Sequence, residues 1–202
     1  MRATRTLAGA AIIAAAALAC QGNDHHPTAP EGLARTAVAS TQPGVHVYQF
    51  RTEEDPAVSG AAAFCATVPF APNVLLNASA WATQSRSSDA SIVNDGVRKV
   101  GTVVACAQIT SFAFPPGLQQ NFAARFDFED GTSYTGIGSC TITSNDIPEP
   151  KLILAGCALR VAPNGVSAGG VATSASVFNP FRLTGYHTGS YWTLQLYDPP
   201  AG

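Results

Sequence analysis

Residues 120–129 constrain this chain more than any other stretch. Phe122, Ala124, Phe126 and Phe128 take every second position, Ala123, Arg125, Asp127 and Glu129 take the positions between, and Asp130-Gly131 follows. A period of two marks an extended strand with one apolar and one polar face, because successive side chains of a strand point to opposite sides. Asp-Gly is the preferred dipeptide of a two-residue hairpin turn, so residues 132–143 read as the antiparallel return strand. Such a turn pairs residues whose numbers sum to 261, which predicts Arg125 opposite Gly136 and Asp127 opposite Tyr134.

The chain downstream of residue 44 repeats this pattern. Residues 45–51 alternate, with His46, Tyr48 and Phe50 on one side, and segments 60–70, 73–84, 97–111, 151–161, 171–178, 182–187 and 190–197 are apolar or alternating. Between them stand turn-forming residues: Pro69 and Pro72, the Ser-rich loop 85–95, Pro115-Pro116-Gly117, Pro148 and Pro150, Asn164-Gly165, Asn179-Pro180 and Thr188-Gly189. Proline cannot donate to a ladder, and glycine and asparagine supply reversals. About nine or ten short strands without a helical period predict a single all-β domain over residues 45–202, an antiparallel β-sandwich or β-barrel.

The first residues follow another rule. Arg2 and Arg5 precede an uncharged apolar run from Leu7 to Leu18, and Ala17-Leu18-Ala19-Cys20 closes it with small residues before a thiol. The run is shorter than the roughly 20 apolar residues of a spanning helix, and its ending fits a cleaved signal. The segment resembles a bacterial lipoprotein signal peptide, although Leu18 stands two places before the cysteine where that family most often has leucine three places before. The resemblance implies removal of residues 1–19, a diacylglyceryl thioether on Cys20, and a membrane partner reached through the lipid anchor. Gly22 replaces the aspartate that in the family signals inner-membrane retention, which implies an outer-membrane lipoprotein where the host has two membranes. An ordinary secretory signal, giving a periplasmic or secreted protein, is the other reading of the same residues. Residues 20–44, interrupted by Pro27, Pro30 and Pro43, read as a flexible tether.

Setting Cys20 apart leaves Cys65, Cys106, Cys140 and Cys157, an even set suited to two disulfides in an oxidising compartment. In a meander, Cys106 and Cys140 would flank a strand about 9.5 Å apart, beyond the roughly 7 Å limit for a bridge. A register summing to 297 places Cys140 opposite Cys157, so the expected pairs are Cys140 with Cys157 and Cys65 with Cys106. That register also puts Cys140, Leu159 and Val161 on the same face as Arg125 and Asp127, which calls for a covered face or a bulge. The cysteine spacings match no zinc pattern.

Charged residues make up 12% of the chain, about half the usual quarter. Without Arg2 and Arg5, 9 basic residues face 13 acidic ones, and Lys99 and Lys151 are the only lysines, so no patch suits nucleic acid. No phosphate-cradling loop, nucleophile elbow, zinc-protease pair or calcium loop occurs, so no cofactor or metal is expected and the balance leans away from an enzyme. The candidate ligand-binding residues are Arg125, Asp127 and Tyr134, which the predicted register gathers on one hairpin face, with Gly136 and Gly138 leaving room beside them. They form either a shallow polar pocket or the solvent face of an ordinary strand. His46 and His187 stand isolated, and Asp24-His25-His26 falls in the tether. Tyr186, Tyr191, Trp192 and Tyr197 read either as an aromatic platform for a glycan or as core and sheet residues. Three functions follow: an envelope lipoprotein whose domain binds a small-molecule, glycan or protein ligand or serves structurally; a small β-barrel isomerase or hydrolase; or a carbohydrate-binding module.

Overall fold

A computed structural model describes residues 44–83, 85–86, 92–93 and 98–199, with 85–86 and 92–93 as backbone alone. The signal segment, Cys20, the Asp24-His25-His26 cluster and the tether up to residue 43 lie outside these residues. The strands are β1 (Val45–Glu54), β2 (Val74–Ala82), β3 (Ser85–Arg86), β4 (Ile92–Val93), β5 (Lys99–Gln108), β6 (Gln119–Phe128), β7 (Ser133–Ser144), β8 (Ile153–Val161), β9 (Gly170–Phe178) and β10 (Gly189–Tyr197). One short helix, α1 (Ala61–Cys65), lies between β1 and β2.

Of the two all-β architectures, the barrel is the one adopted. Apart from the β3–β4 pair, each strand pairs antiparallel with the next in sequence, and β10 closes on β1 to give eight strands without an edge. Closure satisfies every interior ladder, which is how all-β domains avoid exposed edges. The alternation in β6 sets what faces inward: Phe122, Ala124 and Phe126 belong to the core within the barrel, whereas Ala123 is buried on its outer side beneath α1.

The β6–β7 turn corrects the predicted register. Gly131 N–H donates to the Phe128 carbonyl at 3.0 Å and Phe128 N–H to the Thr132 carbonyl at 2.9 Å, so three residues, Glu129, Asp130 and Gly131, make the connection. Gly131 sits at φ +83°, the left-handed position of a three-residue hairpin loop, and the Asp130 carboxylate accepts from Thr132 N–H at 2.9 Å. Opposed residues therefore sum to 260, with Arg125 opposite Thr135 and Phe126 opposite Tyr134. A slip of one residue exchanges the faces of a strand. Tyr134 joins the interior with Phe126, and so do Cys140, Leu159 and Val161, which removes the need for a covered polar face.

Three further expectations are corrected. Segment 60–70 holds α1 and turns rather than a strand, because Ala61, Phe64 and Cys65 recur at helical spacing and all three are buried against the outer face of β5 and β6. Segment 182–187 is also no strand: the Asn179 side chain donates to the carbonyls of Leu183 (2.9 Å) and Tyr186 (3.0 Å) and accepts from Leu183 N–H (2.8 Å), winding the loop around itself. Gly136 and Gly138 likewise leave no open space. A Cβ on Gly138 would meet the Ala158 carbonyl oxygen, and one on Gly136 would stand 3.0 Å from Leu159 Cβ.

Antiparallel order sends successive connections to opposite ends of the barrel. One end carries the start of β1 and the β6–β7 turn, and here the interior is filled by aromatic rings. Phe50 meets Phe126 and Phe128 edge-on at 5.6 and 5.3 Å, Phe126 meets Trp192 at 5.1 Å, and Tyr48 stacks on Phe128 at 5.5 Å. The other end carries the connections 55–73, 109–118, 145–152 and 179–188.

Candidate ligand-binding site

Size decides where the barrel is hollow. Towards the end with connections 55–73 and 109–118, inward positions pass from aromatic rings to Ala107, Ala155, Ser176 and Ser190, and a cavity of about 90 Å³ opens among them. Its wall is largely apolar, built from Ile109, Phe114, Ile142, Ile153 and Phe178, with the Cys140–Cys157 disulfide and Phe122 on its inner side. A smaller lobe of about 40 Å³ continues past Leu76, Ser190 and Phe122 to Thr52, Trp192 and Glu54.

Phe114 covers this end from the 109–118 loop. It is buried, meets Phe178 edge-on at 5.9 Å, and holds φ at +45°. A bulky side chain in the left-handed region costs roughly 1–2 kcal/mol, so surrounding contacts must hold it there. The holding contacts are visible: Gly117 N–H donates to the Ile142 carbonyl at 2.8 Å and Ile142 N–H to the Leu118 carbonyl at 2.9 Å, fastening the loop to β7.

Side-chain amides continue the ladder where β5 ends. Asn73 accepts from Ile109 N–H at 2.7 Å and donates to its carbonyl at 2.8 Å. Gln120 Oε1 accepts from Thr110 N–H at 2.9 Å and from Thr110 Oγ1 at 3.4 Å. Gln120 lines the cavity and is 4% exposed, and its Nε2 is the one buried side-chain nitrogen or oxygen among the described residues without a hydrogen-bond partner. Across the barrel, three serines satisfy one another: Ser190 Oγ donates to Ser176 Oγ at 2.8 Å, and Ser174 and Ser176 share a bond of 2.7 Å.

Of the three residues that sequence reasoning gathered, Arg125 and Asp127 pair on the outer face and Tyr134 lies inside the barrel. Arg125 lies on the outer face, where Nε donates to both Asp127 oxygens (3.1 and 2.9 Å) and the guanidinium stands 5.7 Å over the Phe64 ring of α1. Asp127 also accepts from Ser133 Oγ at 2.7 Å. Tyr134 is inside the wall, 4% exposed, against Phe128. The trio therefore forms no pocket, and the enzyme reading built on it loses its residues. Cys65–Cys106 staples α1 to the outside of β5, whereas Cys140–Cys157 borders the cavity.

His46 Nε2 stands 2.6 Å from Asp198 on the exposed filled end, and His187 is at the other end, 4.0 Å from Glu53. Trp192 is core, and Tyr191 and Tyr197 are exposed on the outer side of β10 but six residues apart, about 20 Å along a strand. That spacing makes no coplanar pair, so the glycan platform is not assembled. A larger hollow of about 290 Å³ beside the open end, between Glu54, Asn179, Arg182, Tyr186 and His187, is an open groove whose Arg182 and His187 side chains are 83% and 78% exposed. Asp55, at the start of the 55–73 loop, has its carboxyl held below the ordinary value of 3.8 by the Ser79 hydroxyl and then by Ala57 N–H. Among the described residues no three histidine, cysteine or carboxylate groups gather as a metal site.

Gln120 and the cavity escaped sequence reasoning because no local pattern marks them. A glutamine entering an alternating strand on its apolar face was the available signal. No family model matches the chain, and neither a curated protein nor a solved structure matches it.

Proposed function

We propose that the chain is a lipid-anchored, extracytoplasmic envelope protein whose barrel takes a small, mainly apolar ligand through its open end. The observation that carries the binding half of this reading is the cavity among Ala107, Ile142, Ile153 and Ala155. An apolar hollow of about 90 Å³ leaves its lining short of van der Waals contact. Larger side chains at Ala107 or Ala155 would recover much of it in a purely structural barrel. The strained Phe114 backbone and the unpartnered Gln120 amide stand at the same place, and costs of this kind concentrate at functional sites.

The address half rests on the N-terminal segment ending at Cys20. The two disulfides fit an oxidising compartment. A diacyl or triacyl anchor holds stably at about 0.8 kcal/mol per buried methylene, where one chain binds only marginally.

Xenon tests the cavity directly, since a dry apolar cavity takes it up. In methyl-labelled protein under xenon pressure, saturable shifts are expected for Ile109, Ile142, Ile153 and Ala155. Shifts confined to surface methyls, or none, would remove the cavity as a binding site.

A further inference from the structure

The orientation of Gln120 sets what a ligand must offer. Its Oε1 is committed to Thr110 N–H and Oγ1, so turning the amide over would orphan a backbone donor and set two N–H groups against it. The NH₂ group is therefore the end left without a partner, and it donates without accepting. A carboxylate could receive the Thr110 donors as well, but it would bring a buried charge; the amide does so neutrally and leaves a donor on a residue that lines the cavity.

Charge is absent from the main cavity. Its wall contains no lysine, arginine, histidine, aspartate or glutamate, and the one carboxylate on its continuation is Glu54. An anion there would be desolvated without a compensating cation and would face that carboxylate. A polyol fits no better, because the Ser176 and Ser190 hydroxyls already pair with each other and, apart from Gln120 and Thr188, the remaining side chains of the wall carry no hydroxyl, amide or charge. At about 90 Å³, less than the dry cavity of about 150 Å³ that takes benzene, the space holds only a small ring or a short branched chain, part of which extends through the open end.

We infer that the ligand is a small neutral molecule with an apolar body and one hydrogen-bond-accepting oxygen, a ketone, ester or amide carbonyl, received by Gln120 Nε2. The inference rests on the reading of the cavity as a ligand site. Ligand binding then completes the one buried side-chain donor left unmet among the described residues.

Cyclopentanone and methylenecyclopentane match in shape and differ in the acceptor, and cyclopentanecarboxylate adds a charge on a larger body; all three are titrated into the full isotope-labelled chain and followed at the cavity methyls and the Gln120 side-chain NH₂. Cyclopentanone is expected to bind about tenfold more tightly than the alkene, equivalent to about 1.4 kcal/mol, and to move the Gln120 signals. The carboxylate should bind weakest. Gln120→Met should keep alkene binding and erase the ketone preference. Equal affinity for ketone and alkene, a preference that survives in Gln120→Met, or tightest binding of the carboxylate would overturn the inference while leaving the cavity as an apolar site. Binding by none of the probes would overturn the cavity reading with it. If Gln120→Met does not fold, the ketone-to-alkene ratio and the Gln120 NH₂ shift in the unaltered protein decide the matter.

Discussion

Ala155→Leu asks whether the open end of the barrel is hollow. Ala155 faces inward from β8, opposite Ile142 and Ser176, and borders the cavity of about 90 Å³. Leucine adds three carbons, worth about 2.4 kcal/mol at about 0.8 kcal/mol each when buried. Fixing the new rotamer returns about 0.5–1 kcal/mol, so the net gain is about 1.5 kcal/mol. For a domain of this size that raises Tm by roughly 3–6 °C. The matched control is Ala124→Leu, also inward-facing but wholly buried opposite Ala105 and Gly136. Ala124 lines neither the cavity nor its smaller lobe, and overpacking a filled position costs about 1–3 kcal/mol. Thermal and denaturant unfolding of the oxidised proteins gives both numbers, and Ala155→Leu should also abolish the xenon-induced methyl shifts. If Ala155→Leu destabilises as much as Ala124→Leu, the interior is packed throughout and the argument for a ligand fails.

Tyr134→Ala should cost about 3–5 kcal/mol, as for a truncated core aromatic, while Tyr134→Phe stays within about 1 kcal/mol; a cost below about 0.5 kcal/mol for the alanine variant would return Tyr134 to the solvent face. The depressed Asp55 carboxyl contributes stability that is present above its ordinary value of 3.8 and lost as pH falls through its lower folded value, so Ser79→Ala, which removes the largest cause, should raise the Asp55 pKa and flatten the acid side of the stability profile. A carboxyl-carbon NMR titration reads this directly, and an unmoved Asp55 would refute the role of Ser79. Cys20→Ser should shift the protein from the membrane fraction to the soluble one, with loss of acyl mass at the N-terminus; unchanged attachment would place the anchor elsewhere.

How far a pattern reaches depends on the range of the interaction behind it. The all-β class was legible because alternation is a local property, and Phe122, Ala124 and Phe126 announce an inward face without reference to any other strand. The hairpin was legible too, but its register was not. Asp130-Gly131 serves a two-residue turn with both residues at positive φ, or ends a three-residue loop with glycine alone there, and the Asp130 bond to Thr132 helps the second. One residue of loop length then decides whether Tyr134 lies beside Asp127 or against Phe128. The Ala-rich stretch 61–65 illustrates the opposite limit: five residues are too few to hold a helix by themselves, and α1 exists because Cys65 and Phe64 are held on the outside of β5.

The candidate site belongs to a class that local patterns cannot encode. Its wall comes from most of the eight strands and from Phe114, and each residue taken alone is an ordinary apolar or small side chain of a strand. What makes a cavity is the coincidence of Ala107, Ala155, Ser176 and Ser190 at one level of a closed barrel, and that coincidence depends on every register around the ring. An error of one residue in any pair would exchange inner for outer faces in the strands beyond it and scatter the set. Gln120 differs because its signal is chemical. It holds an inward position two residues before Phe122, where hydrocarbon would be expected, and an amide persists in such a place only if its hydrogen bonds are met. Thr110 meets the oxygen. The nitrogen remains the part of the interior that folding alone does not explain, which is why it, rather than the more conspicuous Arg125 and Asp127, bears on what this barrel binds.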